Sequence, residues 1–237
     1  MEEAAILIKN YLNSQISEIN ITAKTDLTGG IWRLTCNAPL TIKQYDKVTV
    51  GTVTYRVDAS QFKTYVDVEA DAEPTGDTLK KTLNIYIGTH LSADFARSED
   101  LDSSKDLKFP FAVILEPAKN KLTVDQNLPY GKSSIINLVL MDEAKPDDWT
   151  TQNHYDYAIK PMVRWAELLL ETMQDKMGGE LNLVSIFDYE NKINWSVLAK
   201  FPETKAAKKL FKEDNSGIDC VIDFEIGRQN NIIGCLH

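Results

Sequence analysis

The sequence predicts an α+β fold: an antiparallel sheet packed by a long helix, with a small all-β barrel or sandwich module inserted. Three observations predict it. Apolar residues recur at helical spacing across residues 151–176. From Ile19 to Ala70 the pattern alternates with a period of two, the signature of short half-buried strands. Two strongly apolar runs, "FPFAVILEP" and "GIDCVIDFEIG", lie before and after the long helix. The implied organisation places residues 1–16 as the N-terminal helix of the core domain, 17–72 as the inserted β-module and 80–237 as the α+β core domain.

The elements follow in order. Ala5, Ile8, Leu12 and Ile16 fall on one helical stripe, with Ala4, Leu7 and Tyr11 beside it, and acids at positions 2 and 3 suit a helix N-terminus. Ile19, Ile21 and Ala23 alternate with polar residues, and Ile31 to Cys36 forms a second run after the Thr28-Gly29-Gly30 turn. In "YDKVTVGTVTYRV", Gly51 interrupts the alternation and marks a hairpin turn or bulge. Tyr65 to Val68 closes the series, giving a small barrel or sandwich of four or five strands. Residues 69–78, "EADAEPTGDT", read as a polar linker, and "KTLNIYIGTHL" returns to a strand. "SADFARSEDLDSSKDL" is an acidic loop too polar to fold alone. "FPFAVILEP" is a strand bracketed by Pro110 and Pro117.

In the long helix, Tyr155, Ala158, Ile159, Met162, Ala166, Leu169 and Met173 share a face, and Thr150 or Thr151 is a suitable cap. Pro161 lies inside this pattern, so the helix either kinks there or begins near Lys160. Gly178-Gly179 ends it. Shorter strands are expected at Leu183 to Tyr189 and Asn194 to Leu198, and a helical turn or two at Glu203 to Phe211. In the closing strand, Ile218, Cys220, Ile222, Phe224 and Ile226 fall on one face.

"YGKSSIINLVLMDEA" imitates nucleotide-hydrolysing machinery, with Gly131-Lys132-Ser133 and then Asp142-Glu143 after an apolar run. The spacing rejects it. The first glycine of a phosphate-binding loop would fall at position 126, which is Gln126. The residues after Ser133 favour a strand rather than a helix opening on a phosphate. Neither the acidic stretches Asp147-Asp148 and Glu99-Asp100-Leu101-Asp102 nor the histidines His90, His154 and His237 have cooperating partners at useful spacing. The cysteines Cys36, Cys220 and Cys235 lack metal spacing. A reduced compartment fits their odd number, and Cys36 and Cys220 read as buried thiols. The sequence therefore predicts no catalytic, cofactor-binding or metal site, and a protein that is not an enzyme.

A net charge of −9 disfavours a dedicated nucleic-acid gripper, because such grip comes from clustered Lys and Arg. No apolar run approaches the roughly 18 residues of a membrane helix. The Met1-Glu2-Glu3 start argues against a signal peptide. A rival function is a carbohydrate- or protein-binding module, in which Trp32, Tyr45, Tyr55 and Tyr65 would offer stacking surfaces.

The first helix and residues 108–227 together carry a resemblance. "FPFAVILEP", the strand "SSIINLVLMD", the stretch "KPDDWTTQNHYDYAIKPMVRWAELLLETM" and the closing "DNSGIDCVIDFEIG" are similar to tail-terminator and neck-ring proteins of tailed phages. The β-module is not part of that pattern. The resemblance implies a structural virion protein, assembled in the host cytoplasm, that self-associates into a ring at the capsid–tail junction or caps the tail tube. Its neighbours would be connector, portal or tail-tube proteins. DNA would pass through the ring without specific binding, and no membrane or cofactor would be involved.

Overall fold

The structure, a computed structural model, describes residues 2–89, 109–125, 128–145, 147–175, 183–193 and 214–226. The fold is mixed α+β, mostly strands, with one long helix and a closed six-stranded antiparallel barrel.

The first helix, α1 (Glu2–Ser14), buries the stripe that its spacing predicts: Ala4, Ala5, Ile8, Tyr11 and Leu12 are all buried, while Ile6 faces out. At its end the Ser14 hydroxyl donates to the Tyr11 carbonyl at 2.7 Å, occupying a carbonyl left free by the end of the helix. The chain then enters the barrel strands β1 (Ile19–Asp26), β2 (Ile31–Cys36), β3 (Lys47–Val50), β4 (Val53–Gln61), β5 (Tyr65–Glu69) and β6 (Thr78–Lys81). Their order around the barrel is β1-β2-β5-β4-β3-β6. Inward residues alternate with outward ones, so Leu34, Cys36, Val48, Val50, Val57, Val66, Val68 and Leu79 form a single apolar filling. Val50 pairs with Val53 across Gly51, whose φ of 60° suits a two-residue hairpin turn. A Cβ at Gly51 would lie 2.5 Å from the Thr75 carbonyl oxygen, so glycine is required there twice over.

The module boundary at 72 needs correction. Strand β6 pairs with both β1 and β3, and without it both would present open edges. The expected linker is instead a loop across one end of the barrel, and the barrel runs on to Lys81. The strand expected in "KTLNIYIGTHL" is present, and Lys81 at its start is the last residue of the barrel. Beyond β6 the chain crosses to β7 (Asn84–Thr89) in the second sheet.

That sheet has the order β10-β11-β9-β8-β7, adding β8 (Phe111–Asp125), β9 (Leu128–Glu143), β10 (Leu183–Lys192) and β11 (Asn215–Ile226). It is not wholly antiparallel as expected. Strand β7 lies parallel to β8, a pairing that no tight hairpin can make and that needs a crossover connection. Pro117 does not end its strand either. Strand β8 continues past it, and the register shifts between Leu115 and Lys119 absorb a residue with no N–H to give the ladder. On one sheet face Ala112, Ile114, Ile136, Leu138, Leu140, Ile218, Cys220 and Ile222 form one buried cluster with residues of both helices. On the opposite face Phe111, Val113, Val139 and Met141 are buried too.

The long helical segment begins as α2 (Thr151–His154), capped by the Thr150 side chain, which accepts from the Asn153 N–H at 3.3 Å. It passes through a π-helical turn at Tyr155–Ile159 and continues as α3 (Lys160–Asp175). The regular α-helix begins at Lys160, one of the two outcomes expected around Pro161, but helical structure extends upstream of it. The wider turn at Tyr155–Ile159 makes room for a residue that cannot complete an i→i−4 bond. The expected elements at 92–107, 194–198 and 203–211 lie outside the described residues, as does Gly178-Gly179.

Candidate functional site at the junction of barrel and sheet

The loop that enters β3 places Asp46 and Lys47 side by side, and each meets a different layer of the neighbouring domain. Asp46 is fully buried and accepts from three donors: the Lys43 N–H at 2.9 Å, the Lys81 Nζ at 3.1 Å and the Arg164 guanidinium. Arg164 comes from α3 and also donates to the Gln44 carbonyl at 2.9 Å. Lys81 Nζ donates to the Thr41 carbonyl at 3.1 Å and lies 4.7 Å from the Trp165 ring centre. Burial pushes the Lys81 pKa below its ordinary value, and Asp46 opposes that shift. Lys47 reaches the other way and donates to Asp142 Oδ1 at 2.5 Å, at the end of β9. Burial pushes the Asp142 carboxyl upward, while Lys47 and the Glu143 N–H pull it back.

An aromatic group flanks these pairs. Arg56 of β4 stands 4.6 Å over the Tyr157 ring, and Tyr45 meets that ring edge-on at 4.8 Å. Trp149 packs against both Tyr157 and His154. His154 is buried, and its Nδ1 lies 3.0 Å from the Ser216 hydroxyl of β11. Desolvation lowers the imidazole pKa, which keeps the ring neutral. Ser216 stands directly opposite Asp142 in the ladder, on the face that carries the row Ile136, Leu138 and Leu140. The apolar rows of both strands thus end in polar groups where the barrel docks. Asn215, also buried, has no hydrogen-bond partner for its amide among the described residues.

A serine beside a histidine is the chemistry of an activated nucleophile, but this pair is enclosed. Ser216 is fully buried and His154 nearly so, leaving no approach for a substrate carbonyl. The arrangement orients and fastens. Its carboxylates are consumed by internal cations, and its cations by internal carboxylates, carbonyls and rings.

The residues singled out in the sequence are mostly scattered. Gly131, Lys132 and Ser133 sit in extended strand β9, paired with Thr123, Leu122 and Lys121, and form no loop around a phosphate. Asp142 belongs to the junction, whereas Glu143 points to solvent. Asp147 and Asp148 lie exposed in a turn. Trp32 and Tyr55 pack against the barrel filling, Tyr65 lies under Arg33 at 3.6 Å and Tyr45 faces Tyr157, so these four rings form no common stacking platform. Cys36 and Cys220 are buried free thiols, and burial raises the pKa of each. His90, His237, Cys235, Glu99, Asp100 and Asp102 lie outside the described residues.

Sequence reasoning missed Asp46, Lys47, Lys81 and Arg164. The available signal was "YDK", an adjacent acid and base at the start of an apolar strand. A polar cleft of about 500 Å³ adjoins the junction, lined by Asn13, Thr49, Thr54, Lys80 and Thr82. The Thr49 and Thr82 hydroxyls meet across 2.7 Å. Among the described residues no group of three or more His, Cys, Asp or Glu side chains is placed to hold a metal ion, and no helix is long and apolar enough to cross a membrane. No protein-family model matches the chain, and no curated protein sequence matches it.

Proposed function

We propose that this chain is a structural subunit of a tailed-phage particle, a ring-forming neck or tail-terminator protein around the DNA channel, and not an enzyme. The observation that carries the reading is the mixed sheet, whose outermost strands among the described residues are unlike. At one side β7 is added in parallel, and at the other β10 in antiparallel fashion. A ring subunit repeats one heterologous contact and so needs two different surfaces, which such a sheet supplies. In this reading the sheet under its long helix is the ring core. The barrel is a second body, fastened to that core by the buried pairs Asp46–Arg164 and Lys47–Asp142 rather than hung on a flexible tether. The net charge of −9 favours a channel through which DNA slides without sticking.

Depletion of the chain during particle production tests the reading. The expected result is an accumulation of capsids and tails that fail to join, with joining restored by the purified chain. Normal yields of infectious, joined particles in its absence would overturn it.

A further inference from the structure

The two ends of the barrel are chemically opposite. At one end lie the turns after β1 and β3 and the loop 70–77, which spans the end from Ala70, whose N–H donates to the Gly30 carbonyl at 2.8 Å, to Gly76, which abuts Gly51. This end exposes the carboxylates Asp26, Asp71, Glu73 and Asp77, and residues 27–30, 51–52 and 70–77 contain no Lys or Arg. Two apolar side chains stand among them: Leu27 is 38% exposed and Val53 is 43% exposed. At the other end lie residues 37–46 and the turn 61–64, tied together by the Lys63 N–H donating to the Ala38 carbonyl at 2.7 Å. At this end Gln44, Tyr45 and Asp46 meet Arg164 and Tyr157, Asp46 is buried and paired, and Asp58 of β4 stands half-exposed beside the loop, while Lys43 and Lys63 are exposed. It too carries two exposed apolar side chains, Leu40 at 68% and Phe62 at 53%.

We propose that the lysine-flanked end, centred on Leu40 and Phe62, docks on the carboxylate-flanked end, centred on Leu27 and Val53, of a second copy of this chain. Each end pairs an apolar centre with a charged rim, the anatomy of a specific contact surface. The rims have opposite sign, which favours head-to-tail docking and opposes contacts between two like ends. A closed barrel has no free strand edge, so this body associates through side chains, and its ends carry the exposed apolar groups named above. The proposal rests on the reading of the chain as a self-associating ring subunit, and it assigns the barrel a part in that association.

The test uses the full chain in sedimentation velocity across a protein concentration series, at low and high salt. The average mass should rise with concentration and fall with salt. Reversing one rim with Lys43→Glu and Lys63→Glu, or the other with Asp71→Lys and Glu73→Lys, should weaken association about tenfold or more. An equimolar mixture of the two reversed chains should restore it, because each now offers the rim that the other needs. Phe62→Ser should weaken association without any change of charge. All these positions are exposed, so thermal melts should match the parent chain. Assembly that is unchanged by either reversal, an intact chain that stays monomeric throughout, or reversed chains that fail to rescue each other would overturn the proposal. Loss of particle incorporation in the lysine-reversed chain with self-association intact would also overturn it, since the partner would then be a different acidic protein. Closed rings and open strings both support the contact, whereas only rings also support the ring reading.

Discussion

The surroundings of His154 set its chemistry. Its ring is buried against Trp149 and beside Ser216, and desolvation holds its pKa below the ordinary 6.5. In the unfolded chain the imidazole takes a proton near that ordinary value, but in the fold it resists one. The unfolded state therefore binds more protons as pH falls, and stability present above pH 6.5 is lost below it. Denaturant melts between neutral and mildly acidic pH should show the parent chain losing stability faster than a His154→Gln variant. Parallel curves for the two chains would contradict the assignment. The burial of Ile8, Cys220 and Leu169 was legible from the sequence, because periodicity alone places a residue on the inner face of a strand or helix. The contact between His154 and Ser216 was not, since the two lie 62 residues apart and no local pattern joins them.

Among the elements, the strands of the barrel and the first helix were readable because each repeats one period for several residues. The misreadings fall where a short polar strand follows a loop or where a proline is accommodated. Strand β6 escaped notice because its four residues, TLKK, follow a polar stretch and carry a single inward apolar side chain, Leu79. Pro117 and Pro161 are ordinary breakers whose effects were absorbed by a register shift and a π-helical turn. The pairing of β3 with α3 and β9 through Asp46 and Lys47 is the element-level feature with the clearest energetic consequence. Asp46→Ala would leave Lys81 buried without its carboxylate and strip Arg164 of its partner. Breaking a buried pair from one side costs about 3–5 kcal/mol. The expected outcome is a loss of that size in chemical denaturation, with protease cleavage appearing between barrel and sheet. A variant that melts like the parent chain would show that the junction contributes no stability.

At the scale of the whole molecule, the α+β character and the presence of a β-module were foreseeable, because the order of helical and alternating segments restricts the possible layers. The choice of a closed barrel over a sandwich was not legible, since it depends on a four-residue strand after a polar loop. The candidate site was less legible still: three of its five paired charged residues, Asp46, Lys47 and Lys81, belong to the barrel, and the other two, Asp142 and Arg164, to a strand and a helix far along the chain. The molecule consists of a barrel and a sheet layer joined by a buried, charge-paired seam. The measurement that tests the proposed virion role most directly is imaging of purified particles carrying a labelled copy of the chain. The account predicts label at the capsid–tail junction or on the terminal ring of the tail tube, in a fixed number of copies around one axis. Purified particles that contain no copy of the chain would contradict it.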